Sequence, residues 1–530
     1  MSRHFIVVAL ALIASELQFG NGARILGVFP LASISHQVVY RKLTLELNKR
    51  GHELVVLTTD PVNDSTLKNY REIDLHFLYD SLIFGNLIDT RGTIDFVDMF
   101  NYYDTSAYSQ TDAIFSNQEF RKLYAPNSGE KFDLILLETF VFPAFLSLAE
   151  RFKAPIIGIA STALQMSVQY DIGNPILPSH PSNWNKDMRD FGAWVPWERL
   201  DNFIRTWKHI YYYRTGILLR YQALAENYLG IEIPHLGDIH KNISLIFVNQ
   251  QGPISFARPN LPNVIEIAGF HMSESTKPLS MELQKILDNS TQGFIYMSLG
   301  SNAKSNMLKE ETRNEFIAAF SKLPYKVVWK YEDDVLPKKP DNVIAMKWVP
   351  QQAILAHPNL KVFIYQGGLQ STEEAISHAV PLIGLPVFGD QDMNVDKMVS
   401  LGVAKKLEIT AVKRDDLLEA IRTIALDKGY KQRMLNLRSL LNDKPRDSLE
   451  NAIWWTEHVI RHRGAPHLHS STADEPWYQR QDMDIVAFIS ATCAITLISS
   501  LFILYKCLLY WLNALPRNFT KSVDKDKKGI

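Results

Sequence analysis

The chain has 530 residues, more than one ordinary core holds, and at about 150 residues per domain it predicts two to four units. Hydrophobic residues make up 46% and charged residues 21%, a balance that excludes a mostly disordered chain and supplies a large core. With 56 Lys+Arg against 57 Asp+Glu the formal charge is -1, so no global field draws nucleic acid or an anionic membrane surface, and no nucleic-acid partner is expected.

At the N-terminus a short basic start (Arg3, His4) precedes an apolar run from Phe5 to Ile13 and the small residues Gly20 and Gly22. That order predicts a secretory signal peptide over residues 1–22, cleaved near Gly22. Residues 24–60 then read as a βαβ unit: a strand from Arg24 to Phe29, a helix with Val39, Leu43 and Leu47 on one face, and a strand from Glu53 to Thr58. The pattern returns with Phe132 to Leu137, a helical Phe142 to Phe152, and Pro155 to Ala160, which predicts a parallel sheet. Between about 165 and 225 the strand signal fades and aromatics gather (Trp184, Trp194, Trp197, Trp207, Tyr211, Tyr212, Tyr213). Such an insertion forms either an apolar pocket or an outer layer of the core.

Pro253, Pro259, Pro262 and Pro278 break regular structure, and a linker is expected over Gln251 to Pro278. A second strand series follows, from Gly293 to Leu299 and on through Lys326 to Lys330, Val343 to Met346, Val362 to Tyr365 and Pro381 to Val387. The fold class expected is α/β, with two doubly wound domains over 23–270 and 271–440 and a return helix and juxtamembrane segment over 441–484. Two such sheets facing one another leave a cleft at the carboxyl ends of their strands, where ligands bind in this architecture.

Residues 485–504 read IVAFISATCAITLISSLFIL without a charge, enough at 1.5 Å per residue to cross a layer of about 30 Å. The only two cysteines, Cys493 and Cys507, lie in or beside this stretch, so no disulfide framework or Cys-based zinc site exists elsewhere. Asp482 and Asp484 precede it, whereas Lys506, Arg517, Lys521, Lys525, Lys527 and Lys528 follow, which places the tail over 505–530 in the cytosol. A single-pass type I membrane protein with a luminal or extracellular body is expected. The final Lys527-Lys528-Gly529-Ile530 has the dilysine pattern of endoplasmic reticulum retrieval, and the sequons at Asn63, Asn242 and Asn289 fall on the luminal side. The sequon at Asn518 falls in the cytosol and is expected to stay bare.

The most informative stretch runs from Trp348 to Asn394, WVPQQAILAHPNLKVFIYQGGLQSTEEAISHAVPLIGLPVFGDQDMN. A strand ends in Gly367-Gly368, whose lack of side chains lets another group approach the backbone, and a helix begins near Gln370 to Glu374 with free N–H groups. That is an anion site suited to a diphosphate. Trp348 is able to stack on a flat base, and Asp390-Gln391 are able to accept from and donate to sugar hydroxyls.

On these residues, Trp-x-Pro-Gln, the Gly-Gly turn, Ser-x-x-Glu and the closing Asp-Gln, the chain strongly resembles the UDP-glycosyltransferase family. The resemblance extends to Gly300-Ser301 after YMSLG, to NDKPRD and WWTEHVIRHRGAPHL, and to the membrane anchor of the animal, endoplasmic-reticulum type. It implies a GT-B fold, an acceptor held by the N-terminal domain, a UDP-sugar held by the C-terminal domain, and a part in detoxification. By motif position it implies Trp348 stacking on uracil, Gln351 near the nucleoside and Glu374 on the ribose hydroxyls. Ser301, Gly367, Gly368, Gln370 and Ser371 would hold the diphosphate, and Asp390 and Gln391 would read the sugar. Many members have His where this chain has Gln366, and a neutral amide donates to phosphate without ever becoming cationic.

The resemblance also implies a base, His36, in PLASISHQ at the start of the first helix, opposed by an acid. A helix N-terminus favours the neutral imidazole unless a carboxylate opposes it. Glu138, at the end of FDLILLE, opens on the same crevice where members usually carry Asp, so the longer Glu either still orients His36 or weakens the pair. Asp390-Gln391-Asp392 has the Asp-x-Asp spacing of metal-dependent transferases, but the diphosphate is already met by the helix N-terminus, so neither a metal nor a cofactor is expected, UDP-sugar being a co-substrate.

The function implied is inverting transfer of a sugar, glucose by analogy to animal relatives with QGGLQS, to a hydroxyl of a small lipophilic acceptor. Two rivals are a tethered binding protein that kept the fold without turnover, resting on Gln366 and Glu138, and a nicotinamide-dependent dehydrogenase, which lacks G-x-G-x-x-G after either opening strand. The sequence fixes neither the acceptor nor an oligomeric state.

Overall fold

The computed structural model describes residues 22–80, 87–93, 96–178, 196–255, 258–269, 271–272 and 277–514. The signal peptide, the dilysine tail, Asn518, Trp184 and Trp194 lie outside the described residues.

Apolar runs with few polar interruptions, buried on both faces, make the first sheet. Its strands are β1 (Arg24–Phe29), β2 (Glu53–Thr58), β3 (Tyr70–Asp74), β4 (Leu134–Glu138), β5 (Ile156–Ala160), β6 (Leu245–Val248) and β7 (Val264–Glu266). They pair in the order β3-β2-β1-β4-β5-β6-β7, all parallel. The second sheet comprises β8 (Phe294–Ser298), β9 (Lys326–Lys330), β10 (Val343–Met346), β11 (Leu360–Tyr365), β12 (Leu382–Gly384) and β13 (Ala404–Lys406), in the order β10-β9-β8-β11-β12-β13, again all parallel. Each order reverses once, between β1 and β4 and between β8 and β11, and those reversals are where a doubly wound sheet opens a ligand crevice.

Helix α1 (Ile34–Lys49) forms because Val39, Tyr40, Leu43 and Leu47 recur at helical spacing and bury against the first sheet. Ser33 precedes it in extended geometry without a side-chain cap bond. Its hydroxyl instead accepts from Asn302 Nδ2, 3.0 Å away in the loop after β8, so the start of α1 is joined to the second sheet.

The described part of the aromatic insertion is an outer layer. On α2 (Pro196–Tyr212) Trp197 is 77% and Tyr211 71% exposed, whereas α3 (Leu218–Leu229) sends Leu218 and Tyr221 into the first core. The expected linker over Gln251 to Pro278 is not free of regular structure, because Val264–Glu266 pairs with β6 as the outermost strand. Three residues bounded by prolines carry too little pattern to be read as a strand. The strand expected over Pro381 to Val387 is confined to Leu382–Gly384.

In the second half, helices α4 (Leu369–Ser377) and α5 (Gln391–Ser400) follow β11 and β12. The chain then returns to the first sheet through α6 (Ser448–His462), capped by Asp447 Oδ1 on the Leu449 and Glu450 amides at 2.9 and 3.1 Å. Ala452, Ile453 and Val459 pack against Ile25, Val39 and Leu43. Burying Ile453 contributes about 1.5–3 kcal/mol, so an acidic residue there would detach the helix.

The described residues from 471 to 514 form a separate unit. Its long helix, α7 (Met483–Ala514), has 32 residues, none buried, and spans about 48 Å, beyond what a hydrocarbon layer requires. Among the described residues it is the one helix long and apolar enough to cross a membrane.

Candidate active site

The β1/β4 reversal sets His36 against Glu138. His36 lies in the first turn of α1, and Glu138, 1% exposed, ends β4, with Oε1 3.4 Å from His36 Nδ1. The nearer partner of that nitrogen is the Ser161 hydroxyl at 2.5 Å. Glu138 is itself held at both oxygens, Oε1 accepting from the Tyr40 hydroxyl at 2.6 Å and Oε2 from the Leu31 amide at 3.1 Å. Burial and the adjacent Glu138 carboxylate push the Tyr40 phenol well above its ordinary value, so it stays a donor. Gln37 fastens the β1–α1 turn, donating to the Phe29 and Leu31 carbonyls, both at 2.9 Å.

On the second sheet, Trp348 follows β10 and is 57% exposed, with Lys330 Nζ 5.4 Å from its ring centroid. Gln351, Ser371 and Glu374 form one cluster. Gln351 Nε2 donates to Ser371 Oγ at 2.8 Å and to Glu374 Oε2 at 2.7 Å, and Gln352 donates to Glu374 Oε1 at 3.0 Å. Ser371, expected at the diphosphate, is thus grouped with the two residues expected at the nucleoside. Burial raises the Glu374 carboxyl, while the two glutamine bonds lower it.

Behind it Glu373 is buried, its Oε2 3.3 Å from His271 Nδ1. Burial pushes the Glu373 carboxyl up to about 8 and the His271 imidazole down to about 4.

Gly367 has φ +96°, and a Cβ there would stand 2.8 Å from the Gln391 carbonyl, so only glycine lets α5 approach this closely. Gly368 precedes α4 and brings no side chain to the first-turn N–H groups. Gln366 is buried against Gly300, φ +86°, where a Cβ would stand 2.2 Å from its side-chain nitrogen. Ser301 Oγ lies 3.4 Å from Asn302 Oδ1. Gln370 does not point its amide along the helix end: Nε2 donates to the Ser161 carbonyl at 2.9 Å.

Asp390 accepts from Asn394 Nδ2 at 3.0 Å, and burial raises its carboxyl while His36 opposes the rise. Gln391 Oε1 accepts from the Val387 and Phe388 amides at 2.9 and 3.1 Å, which fixes the side chain by its oxygen. Asp392, the third residue of the Asp-x-Asp spacing, is ion-paired with Arg91 and with Lys406.

His36 and Asp390 border one cavity, walled largely by apolar groups including Leu31, Leu87, Tyr103, Phe140 and Phe142. Among the described residues lining it there is no Lys or Arg. Trp197, Trp207 and Tyr211 to Tyr213 take no part. Sequence reading missed Ser161, Tyr40, Asn302 and Arg91. Ser161 and Asn302 follow the carboxyl ends of β5 and β8, and the rule that such ends carry ligands was the available signal.

Residues 24–522 match the family model described as "UDP-glucoronosyl and UDP-glucosyl transferase". The chain is 32% identical over 525 residues to a UDP-glycosyltransferase UGT5 of Dactylopius coccus, covering 95% of each. It is 33% identical over 505 residues to a UDP-glucosyltransferase 2 of the same insect, covering 92% of this chain and 94% of that one. Among solved structures the glycotransferase of kitacinnamycin superposes with a TM-score of 0.54 at 19% identity, covering 83% of this chain and 99% of that one, a likeness of fold. The two parallel sheets and the apolar C-terminal helix therefore have the GT-B architecture with a candidate anchor, and the chain belongs to the UDP-glycosyltransferase family, whose members are enzymes using a UDP-sugar donor.

Proposed function

We propose that the enzyme transfers glucose, with inversion, from UDP-glucose to a hydroxyl of a small lipophilic acceptor, with His36 as general base and Glu138 as its support. The observation that carries this reading is that His36 and Asp390, one from each sheet, border the same apolar-walled cavity. An acceptor lying against Phe140 and Phe142 presents its hydroxyl to His36 Nε2. That nitrogen takes the proton as the hydroxyl oxygen bonds to the anomeric carbon, and the bond from that carbon to the diphosphate breaks on the opposite face. UDP leaves as the anion, met by the N–H groups at the start of α4 and by Ser301. Trp348 stacks on uracil, and Gln351 and Glu374 take the nucleoside and ribose.

Glucose is favoured over glucuronic acid because the sugar lies beside Asp390, where no Lys or Arg lines the cavity among the described residues. Asp392 is already engaged by two cations, which supports a diphosphate neutralised without a metal at that position. The apolar walls carry shape with few polar demands, which fits a range of acceptors and a part in detoxification. The signal peptide, the basic tail and the dilysine end support a type I protein of the endoplasmic reticulum with a luminal active site and glycans at Asn63, Asn242 and Asn289.

Release of UDP from UDP-glucose and from UDP-glucuronic acid, each with phenols, steroids and alcohols, tests the reading. Acceptor-dependent release favouring UDP-glucose is expected. UDP-sugar binding without turnover would return the protein to a tethered binder, and preference for UDP-glucuronic acid would overturn the sugar. Lys527→Ser with Lys528→Ser should release the protein to later compartments, and unchanged residence would refute the retrieval signal.

A further inference from the structure

Ser161 opens the turn after β5 and is 2% exposed, yet its polar atoms serve both halves of the molecule. Its hydroxyl lies 2.5 Å from His36 Nδ1, inside the 3.4 Å that separates that nitrogen from Glu138. Its carbonyl accepts from Gln370 Nε2 of α4 at 2.9 Å and from Asn249 Nδ2 at 3.2 Å. The Tyr40 phenol donates at 2.6 Å to Glu138 Oε1, the carboxylate oxygen that faces His36 Nδ1. A carboxylate beside that nitrogen favours a proton on it, so His36 Nδ1–H faces Glu138 and donates to the Ser161 hydroxyl.

We propose that Ser161 is a positioning residue that, with Glu138, fixes His36 in the Nδ1–H tautomer and ties that orientation to the docking of α4 through Gln370. The proposal rests on His36 being the base. Which imidazole nitrogen carries the proton is set by the bond the other one makes, so a hydroxyl accepting at Nδ1 leaves the Nε2 lone pair for the acceptor. When Nε2 takes the acceptor's proton, the imidazolium donates more strongly at Nδ1, and the hydroxyl and the carboxylate beside that nitrogen meet its charge without any further proton moving. The arrangement also explains why Glu in place of the usual Asp is compatible with a base here: Leu31 and Tyr40 hold the carboxylate with Oε1 3.4 Å from His36 Nδ1.

The second consequence concerns the donor. Gln370 precedes Ser371 on the helix whose first turn faces the diphosphate, and its side-chain amide crosses to the residue that holds the base. Movement of α4 against the first sheet therefore acts on Ser161 directly, and the base is correctly aimed only when the two sheets are docked.

The full-length enzyme in membranes is assayed as wild type, His36→Ala, Ser161→Ala, Ser161→Thr, Tyr40→Phe and the double variant His36→Ala/Ser161→Ala, at saturating UDP-glucose and acceptor. Ser161→Ala should lower kcat about 10- to 100-fold, within the range of general-base catalysis, while the donor KM changes less than about threefold. Ser161→Thr, which keeps the hydroxyl, should stay within about threefold of wild type, and Tyr40→Phe should lose kcat in the same direction. In the His36→Ala background Ser161→Ala should cost nothing more. An inactive His36→Ala beside a fully active Ser161→Ala overturns the role of Ser161 alone, whereas an active His36→Ala overturns the base and this proposal with it. Equal losses in Ser161→Thr and Ser161→Ala, or a kcat loss that multiplies with that of His36→Ala, would mark Ser161 as packing only.

Discussion

Arg91 and Asp392 stand 301 residues apart in sequence and share an ion pair, with Arg91 Nη2 2.9 Å from Asp392 Oδ1. The same guanidinium reaches Glu408 Oε2 at 3.0 Å, and Lys406 Nζ meets Asp392 Oδ1 at 2.8 Å. Leu87 and Ile88, just before it, are buried in the core of the second sheet. A loop of the first half is thus anchored on the half that carries the second sheet. Arg91→Ala should lower stability by about 1–3 kcal/mol, the range for a charge-assisted bond left unmade in a part-buried site, read as a lower thermal midpoint at fixed scan rate. Activity should survive strong chelation, and its loss on chelation, restored by a divalent ion, would contradict the metal-free reading.

Trp348 is 57% exposed and has Lys330 near its face, an arrangement that leaves ring surface for a base. Trp348→Ala should weaken UDP-sugar binding by about 1 kcal/mol, since stacking is worth about 0.5–1.5 kcal/mol beyond area burial. The acceptor KM should barely move. Normal donor affinity in the variant would show the ring to be packing.

The buried Glu373 sets a pH dependence. Its carboxyl sits at about 8 in the folded chain against an ordinary 4.5, so between these values the folded form keeps a proton that the unfolded form has lost, and stability falls as pH rises through that window. The groups facing it are His271, Glu374 and, on the basic side, Lys444. Glu373→Gln should flatten the decline in thermal midpoint across that window. His271, held down at about 4 against 6.5, should keep its own loss of stability as pH falls below 6.5. An unchanged slope on the alkaline side would remove Glu373 as its cause.

Much of this was legible in the sequence for identifiable reasons. β1, β4, β8 and β11 are the central strands, buried on both faces, so their apolar runs stand out and the residues ending them, Glu138 and the Gln366 to Gly368 turn, were located with them. The outer strands β7 and β13 have three residues each, too few to carry a period. Ser161 had no local mark, because a serine after a strand is ordinary and its meaning comes from His36, 125 residues away. Arg91 was invisible for the same reason, since its partners are brought by the tertiary fold alone.

Glu138 tests the pairing of His36 with its carboxylate. Shortening it by one methylene in Glu138→Asp draws the carboxylate back from Tyr40 and Leu31, which now fix it. Activity should stay within about tenfold, a 1.4 kcal/mol effect on the barrier, because the charge remains on the Nδ1 side of the ring. Glu138→Gln removes the charge and should cost a large part of whatever His36→Ala costs, and the double variant should be little worse than His36→Ala. Independent, multiplicative losses would refute the coupling.

The central claim is that His36 removes the acceptor's proton, and the turnover number of His36→Ala at saturating UDP-glucose and acceptor tests it most directly. General-base catalysis is worth about 10²- to 10⁴-fold, so kcat should fall by that factor while the donor KM, which the proposed function assigns to residues of the second sheet, stays near its wild-type value. A His36→Ala enzyme with wild-type turnover would contradict the account.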